Sequence, residues 1–165
     1  MLVLAIDPGN EQSGWVVYDT AYDEATGCVV SAGISLNDEL LENVRHDDDI
    51  DQLVVEMIAS YGMPVGREVF DTCVWIGRFW EAFPGQRDKV FRKDVKMCVC
   101  SDPRAKDSNI RQALIDRFGP GRTAAIGTKK QPGPLYGFKR DMWAALGVAV
   151  TWVELGNGEG DASKD

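Results

Sequence analysis

The sequence is poor in the softer metal ligands. It has one histidine, His46, and four cysteines, Cys28, Cys73, Cys98 and Cys100, none of them in a Cys-x-x-Cys pair. That is too few partners for the usual zinc sets of His and Cys. Reduced, mostly buried thiols are expected, and Cys98 and Cys100 share a face if their segment is a strand. No apolar run approaches the roughly 20 residues of a membrane span. The stretch Met1-Leu-Val-Leu-Ala-Ile-Asp7 has no basic residue ahead of its apolar run and meets an acid at once. It does not read as a signal peptide, and a cytoplasmic protein is expected. There are no internal repeats. Gly121 to Lys129 has a superficial likeness to a phosphate loop. It lacks the Gly-Lys-Ser/Thr ending at the required spacing, so no nucleotide cofactor is expected.

What is present suits one soluble globular domain. A chain of 165 residues buries about two-thirds of its unfolded surface and needs no disulfide or metal to hold its fold. Residues 1–155 are expected to form that domain, with the polar residues 156–165 as a tail without fixed structure. The net charge of −8 argues at first against a nucleic-acid partner. Its distribution argues the other way. Residues 87–140 hold 14 of the 18 Lys and Arg against only five acids (Asp88, Asp94, Asp102, Asp107 and Asp116). A basic region inside an acidic chain can neutralise phosphates locally.

Along the chain, Leu2–Ile6 is a compact apolar run closed by Asp7-Pro8-Gly9-Asn10, which predicts a buried strand and a tight turn. Strands are predicted at Gly14–Tyr18 and Cys28–Ile34, with residues 19–27 as the hairpin tip, giving an antiparallel meander. Leu36, Leu40, Leu41 and Val44 predict a short helix from Asn37. Gln52–Met57 reads as an interior strand. Gly66–Phe83 reads as the longest helix, with Val69, Phe70, Cys73, Ile76, Gly77, Trp80 and Phe83 at helical spacing. Pro84-Gly85 stops it. Val90–Cys100 reads as a fifth strand bent near Lys93-Asp94. Asp107 or Ser108 caps a helix that runs to about Phe118. Residues 119–137 read as a Gly/Pro/Lys-rich loop, and about Phe138 to Trp152 as the last helix. The expected class is α/β, with a mixed five-stranded sheet flanked by helices.

Three acids lie where acids are costly unless used. Asp7 ends the first apolar run, Glu56 sits in Val54-Val-Glu-Met-Ile58, and Asp141 opens an apolar helix. Buried acids are almost always paired or metal-bound. If the first and fourth strands are neighbours, their ends bring Asp7 and Glu56 together, and the last helix delivers Asp141. Clustered carboxylates repel one another and so favour divalent cations. Hard oxygen donors select Mg²⁺ or Mn²⁺, and two such ions can serve phosphodiester hydrolysis. Each acid also has a plainer reading: a turn aspartate, an exposed strand end and a helix N-terminal acid.

With these residues in place, the sequence resembles the RuvC-like Holliday-junction resolvases, particularly the compact phage and prophage type. The resemblance is carried by Leu4-Ala-Ile-Asp-Pro-Gly-Asn10 with Ser13-Gly-Trp15, by Val54-Val-Glu-Met57, by Ala105-Lys-Asp-Ser-Asn-Ile-Arg-Gln-Ala-Leu114 and by Asp141-Met-Trp-Ala-Ala-Leu-Gly-Val-Ala149. It implies an RNase H-like fold, a homodimer in a bacterial host cell, and paired Mg²⁺-dependent nicks on a four-way junction. It places the family's acids on Asp7, Glu56 and Asp141. The family's closing Asp-x-x-Asp pair is broken here, because its second position is Ala144. In similar enzymes the helix after the second acid makes the dimer contact. That assigns part of the Trp75, Phe79, Trp80 and Phe83 stripe to a dimer surface. An aromatic near that helix's start can stack on junction bases, and Tyr61 is the candidate here. Lys93, Lys96, Arg104, Lys106, Arg111, Lys129, Lys130, Lys139 and Arg140 are the candidate phosphate contacts, and the 119–137 loop could close over DNA.

Three other readings fit part of the sequence. The actin and sugar-kinase ATPases also end their first strand near Asp and Gly, but they need a second domain and further phosphate loops. An RNA-processing relative such as the YqgF-like proteins is a nuclease alternative, and the basic loop and extra helix argue mildly against it. Ala144 motivates a third reading, a branched-DNA-binding protein that has lost catalysis.

Overall fold

The computed structural model describes residues 1–21, 29–60, 62 and 64–157. Three expectations fall outside them in whole or part: the Tyr61 stacking residue, most of the hairpin tip together with Cys28, and most of the tail.

Five strands form one sheet in the order β3-β2-β1-β4-β5. They are β1 (Leu2–Asp7), β2 (Gln12–Asp19), β3 (Val29–Leu36), β4 (Gln52–Met57) and β5 (Gln86–Phe91). β1, β2 and β3 form the antiparallel meander, while β4 and β5 run parallel to β1. Helices α1 (Asn37–His46) and α2 (Arg67–Ala82) cover one face. Helices α3 (Arg92–Cys100), α4 (Asp107–Arg117) and α6 (Met142–Trp152) cover the other, with the short α5 (Arg122–Ala125) beside α4. Among the described residues no helix is long and apolar enough to cross a membrane.

The two-residue repeat of a strand divides the core in two. Leu4, Ile6, Leu53 and Val55 pack with Leu40, Leu41, Ile76 and Phe79 under α1 and α2. Val3, Ala5, Val16, Val54 and Val90 pack with Leu114, Leu146 and Val150 under α4 and α6. The same parity fixes the site. Asp7 follows Ala5 by two and Glu56 follows Val54 by two, so both acids face the α6 side.

The structure corrects several expectations. Val90–Cys100 is not a strand. The fifth strand lies earlier, at Gln86–Phe91, and Arg92 begins a helix. The Phe91 backbone N–H donates to Asp94 Oδ2 at 3.3 Å, which satisfies an otherwise orphaned donor at that helix start. Cys98 and Cys100 therefore lie on different faces, about 200° apart on a helix. Neither they nor Cys73 is fully buried. The last helix begins at Met142, not near Phe138. The 119–137 segment is anchored: Ala125 and Leu135 are fully buried, and Gly127 pairs with Pro132 across a tight hairpin. On α2 the buried face is Thr72, Ile76 and Phe79, continued by Phe83. Phe70, Cys73 and Gly77 face outward. Arg78 stacks on Trp75 and Arg87 lies over Trp80, so the aromatic stripe is largely covered from within the chain. Residues 153–157 continue α6 as a π-turn.

Candidate functional site

The carboxyl ends of β1, β4 and β5 open into a cavity of about 700 Å³. Sites in open sheets form at such ends, where backbone and side chains emerge from the core. Asp7, Glu56 and Asp141 all line it, together with Arg92, Asp107 and Arg140.

Each acid is placed by a local cause. The parallel pairing of β1 with β4 matches Ala5 to Val54 and Ile6 to Val55, so Asp7 and Glu56 emerge as neighbours one residue on. Behind Asp7, the turn Pro8–Asn10 is braced by a partly buried network. Ser13 Oγ donates to Asn37 Oδ1 at 2.6 Å, Asn37 Nδ2 donates to the Gly9 carbonyl at 2.9 Å, and the Gly9 N–H donates to Ser13 Oγ at 3.3 Å. Asp141 arrives from the start of α6 over Gly14, the β2 partner of Asp7. A Cβ on Gly14 would sit 2.4 Å from the Asp141 carbonyl oxygen and 2.8 Å from its Cβ. Arg140, just before, has φ 44°, a left-handed conformation unusual for a residue with a side chain.

Gly14→Ala is therefore expected to destabilise the fold by about 1–3 kcal/mol, the usual cost of overpacking. Gly77, on the outward face of α2, has open space around its Cβ position. Gly77→Ala is expected to stabilise by about 0.5–1 kcal/mol, since alanine is the better helix residue. Urea unfolding midpoints moving in opposite directions would bear this out. An unmoved midpoint for Gly14→Ala would mean that Asp141 does not sit where the structure puts it.

The electrostatics are those of crowded acids. Burial, then the neighbouring Glu56 and Asp141 charges, push the Asp7 carboxyl up to about 8. Burial also raises Glu56, against the pull of Arg92. Burial works against the Arg92 charge, but Glu56, Asp107 and Asp7 outweigh it and hold its pKa above the ordinary value. Arg92 Nη1 lies 3.4 Å from Glu56 Oε2, and Nη2 pairs with Asp107 Oδ1. Among the described residues no three Asp, Glu, His or Cys side chains stand as a ready-made metal cage. The acids are spread around the Arg92 guanidinium. Their chemistry nevertheless suits a hard divalent cation: oxygen donors only, partly desolvated, and crowded carboxylates whose repulsion a cation would relieve.

Of the basic residues named from sequence, Arg111 and Arg140 line the cavity, with Arg111 stacked 4.9 Å from the Trp143 ring centroid. Lys93 and Lys96 border an adjoining hollow that shares Arg92. Arg104, Lys106, Lys129, Lys130 and Lys139 are exposed on surrounding loops and do not line this cavity. Sequence reasoning overlooked Arg92 and treated Asp107 only as a helix cap. In the structure the helix that starts at Arg92 turns that side chain toward Glu56.

Among solved structures, the chain is similar to the Thermus thermophilus RuvC structure. The TM-score is 0.63 at 16% identity, over 94% of this chain and 97% of that one. It is also similar to T. thermophilus RuvC in complex with Holliday junction substrate, with a TM-score of 0.62 at 16% identity, over 94% and 96%. No family model matches the sequence, and no curated protein matches it. The likeness shows that the chain has the RuvC-type, RNase H-like fold: an α/β arrangement with a mixed five-stranded sheet flanked by helices.

Proposed function

We propose that this protein is a metal-dependent, structure-selective endodeoxyribonuclease that resolves four-way or other branched DNA by paired phosphodiester hydrolysis. The observation that carries the reading is the meeting of Asp7, Glu56 and Asp141, from three distant parts of the chain, in one cavity edged by Arg111 and Arg140. The solved relative with Holliday junction substrate supports the choice of DNA.

Asp7, Glu56 and Asp141 would hold Mg²⁺ or Mn²⁺, two per site. Such ions supply an activated water and stabilise the leaving oxygen of an in-line displacement. The protein's own part is positional. The strand ends and the braced turn fix Asp7 and Glu56, and the Gly14 contact fixes Asp141. Arg111 and Arg140 meet phosphate oxygens at the rim, and Lys93 and Lys96 extend the positive track beyond it. Phosphate contacts of this kind position a duplex without reading its sequence, which suits selection by shape.

Incubation of the protein with a labelled four-way junction and Mg²⁺ tests the proposal. Paired symmetric nicks are expected. Tight junction binding with no cutting in either Mg²⁺ or Mn²⁺ would favour a binding protein, and cutting of structured RNA in preference to the junction would favour an RNA-processing nuclease.

Paired cutting calls for two active sites, and the outward face of α2 supports a homodimer. Phe70 and Val74 are 60% and 61% exposed, one helical turn apart, and Val65 lies just before the helix. Exposed apolar residues grouped in this way mark interaction surfaces. Phe70→Glu is expected to give monomers in sedimentation equilibrium and to replace paired nicks by single ones. A Phe70→Glu protein that stays dimeric would move the interface elsewhere.

A further inference from the structure

Resting on that reading, we propose that Asp107 is the fourth carboxylate of the metal site, delivered by the first turn of α4 in place of the acid absent from α6. The α6 helix offers one acid, Asp141. The position three residues on, which shares its face, is Ala144, and the Ala144 methyl lines the same cavity. Two divalent ions would carry four positive charges against the three negative charges of Asp7, Glu56 and Asp141. A fourth carboxylate would balance them, and Asp107 is the remaining acid of the cavity lining.

Two further observations separate Asp107 from an ordinary helix-start acid. It is joined to Glu56 through a single guanidinium, since Arg92 reaches Glu56 with Nη1 and Asp107 with Nη2. Its negative charge is also felt at both Asp7 and Glu56, whose carboxyls it helps to raise. The Asp107 side chain is 85% exposed, whereas Arg92 is 28% and Glu56 12% exposed. Among the described residues the Asp107 carboxylate pairs with Arg92 alone, so the side chain is free to turn once another cation competes for it.

The test is calorimetric titration with Mn²⁺ alone, without DNA. Wild type is expected to bind two ions per protomer. Asp107→Asn should bind one normally and the second about tenfold or more weakly, the scale of loss seen when a metal site's support is removed. Adding Ala144→Asp to Asp107→Asn should recover the second ion, because the carboxylate is returned at another address. Arg92→Gln should keep both. Asp107→Asn binding both ions like wild type overturns the proposal while leaving the three-acid site intact. So does loss of the second ion in Arg92→Gln to the same extent, since Asp107 would then act only through Arg92. If Asp7→Asn and Glu56→Gln bind Mn²⁺ like wild type, the metal site itself is misplaced and both readings fall.

Discussion

Asp7→Asn and Glu56→Gln are each expected to lower junction cleavage by at least about 10³-fold and to leave junction affinity nearly unchanged. The size follows from the role. A ligand that holds a charge-stabilising ion contributes several kcal/mol to the transition state, and each 1.4 kcal/mol is about tenfold in rate. Affinity should survive because phosphate contacts at the rim, not these acids, bind DNA. Removing a buried negative charge that faces phosphate can even tighten binding slightly. Both changes are isosteric, and both acids sit at strand ends beyond the last core residues Ile6 and Val55, so folding should be preserved. Single-turnover cleavage and a gel-shift titration in Ca²⁺ read the two quantities separately. A mutant that cuts at the wild-type rate would exclude these acids from the chemistry. One that loses binding in proportion to cutting would make them DNA contacts instead.

The parts of this site that the sequence discloses are those written in short-range pattern. The compact apolar runs Leu2–Ile6 and Leu53–Val55 give two buried strands. An acid placed next after each run, in register with the inner residues two before it, gives the two partners. That Asp141 opens a nearly all-apolar helix is also visible, since all but the ends of such a helix must be buried. The fifth strand hides because it is an edge. Gln86, Arg87 and Lys89 are exposed and only Val90 is fully buried, so it lacks an apolar stripe. Just after it, Val95, Val99 and the cysteines mimic a strand, and a short apolar run does not distinguish strand from helix. Arg92 and Asp107 are illegible for a different reason. Their meeting depends on where α3 and α4 dock, and nothing in a window of ten residues records a contact across fifteen. The register of α6 escapes likewise, because the turn through Arg140 at φ 44° delays the helix to Met142.

In metal-free buffer, stability is expected to fall as pH rises from about 4 to about 8, and Asp7→Asn should remove most of that fall. The Asp7 carboxyl is raised from 3.8 to about 8 in the fold. Below the unfolded value both states are protonated, and the group is neutral with respect to stability. Between the two values the unfolded chain releases the proton while the folded one retains it, so each pH unit favours unfolding by about 1.4 kcal/mol at most. Above 8 both are ionised and the full penalty stays. The whole interval sets a ceiling of roughly 6 kcal/mol, and local relaxation with water entry leaves about 2–3 kcal/mol. For a chain of this size that is about 5–10 °C in melting temperature at pH 9. Asp7→Asn should melt that much higher than wild type at pH 9 and nearly equal to it at pH 4. Mg²⁺ supplies the missing positive charge, so it should raise wild type toward the mutant at high pH. Below pH 8 its binding must expel the Asp7 proton, so its apparent affinity should weaken about tenfold for each pH unit lost. Parallel melting curves for wild type and Asp7→Asn across the whole range, with or without Mg²⁺, would mean that Asp7 ionises freely and that no cluster of acids constrains it.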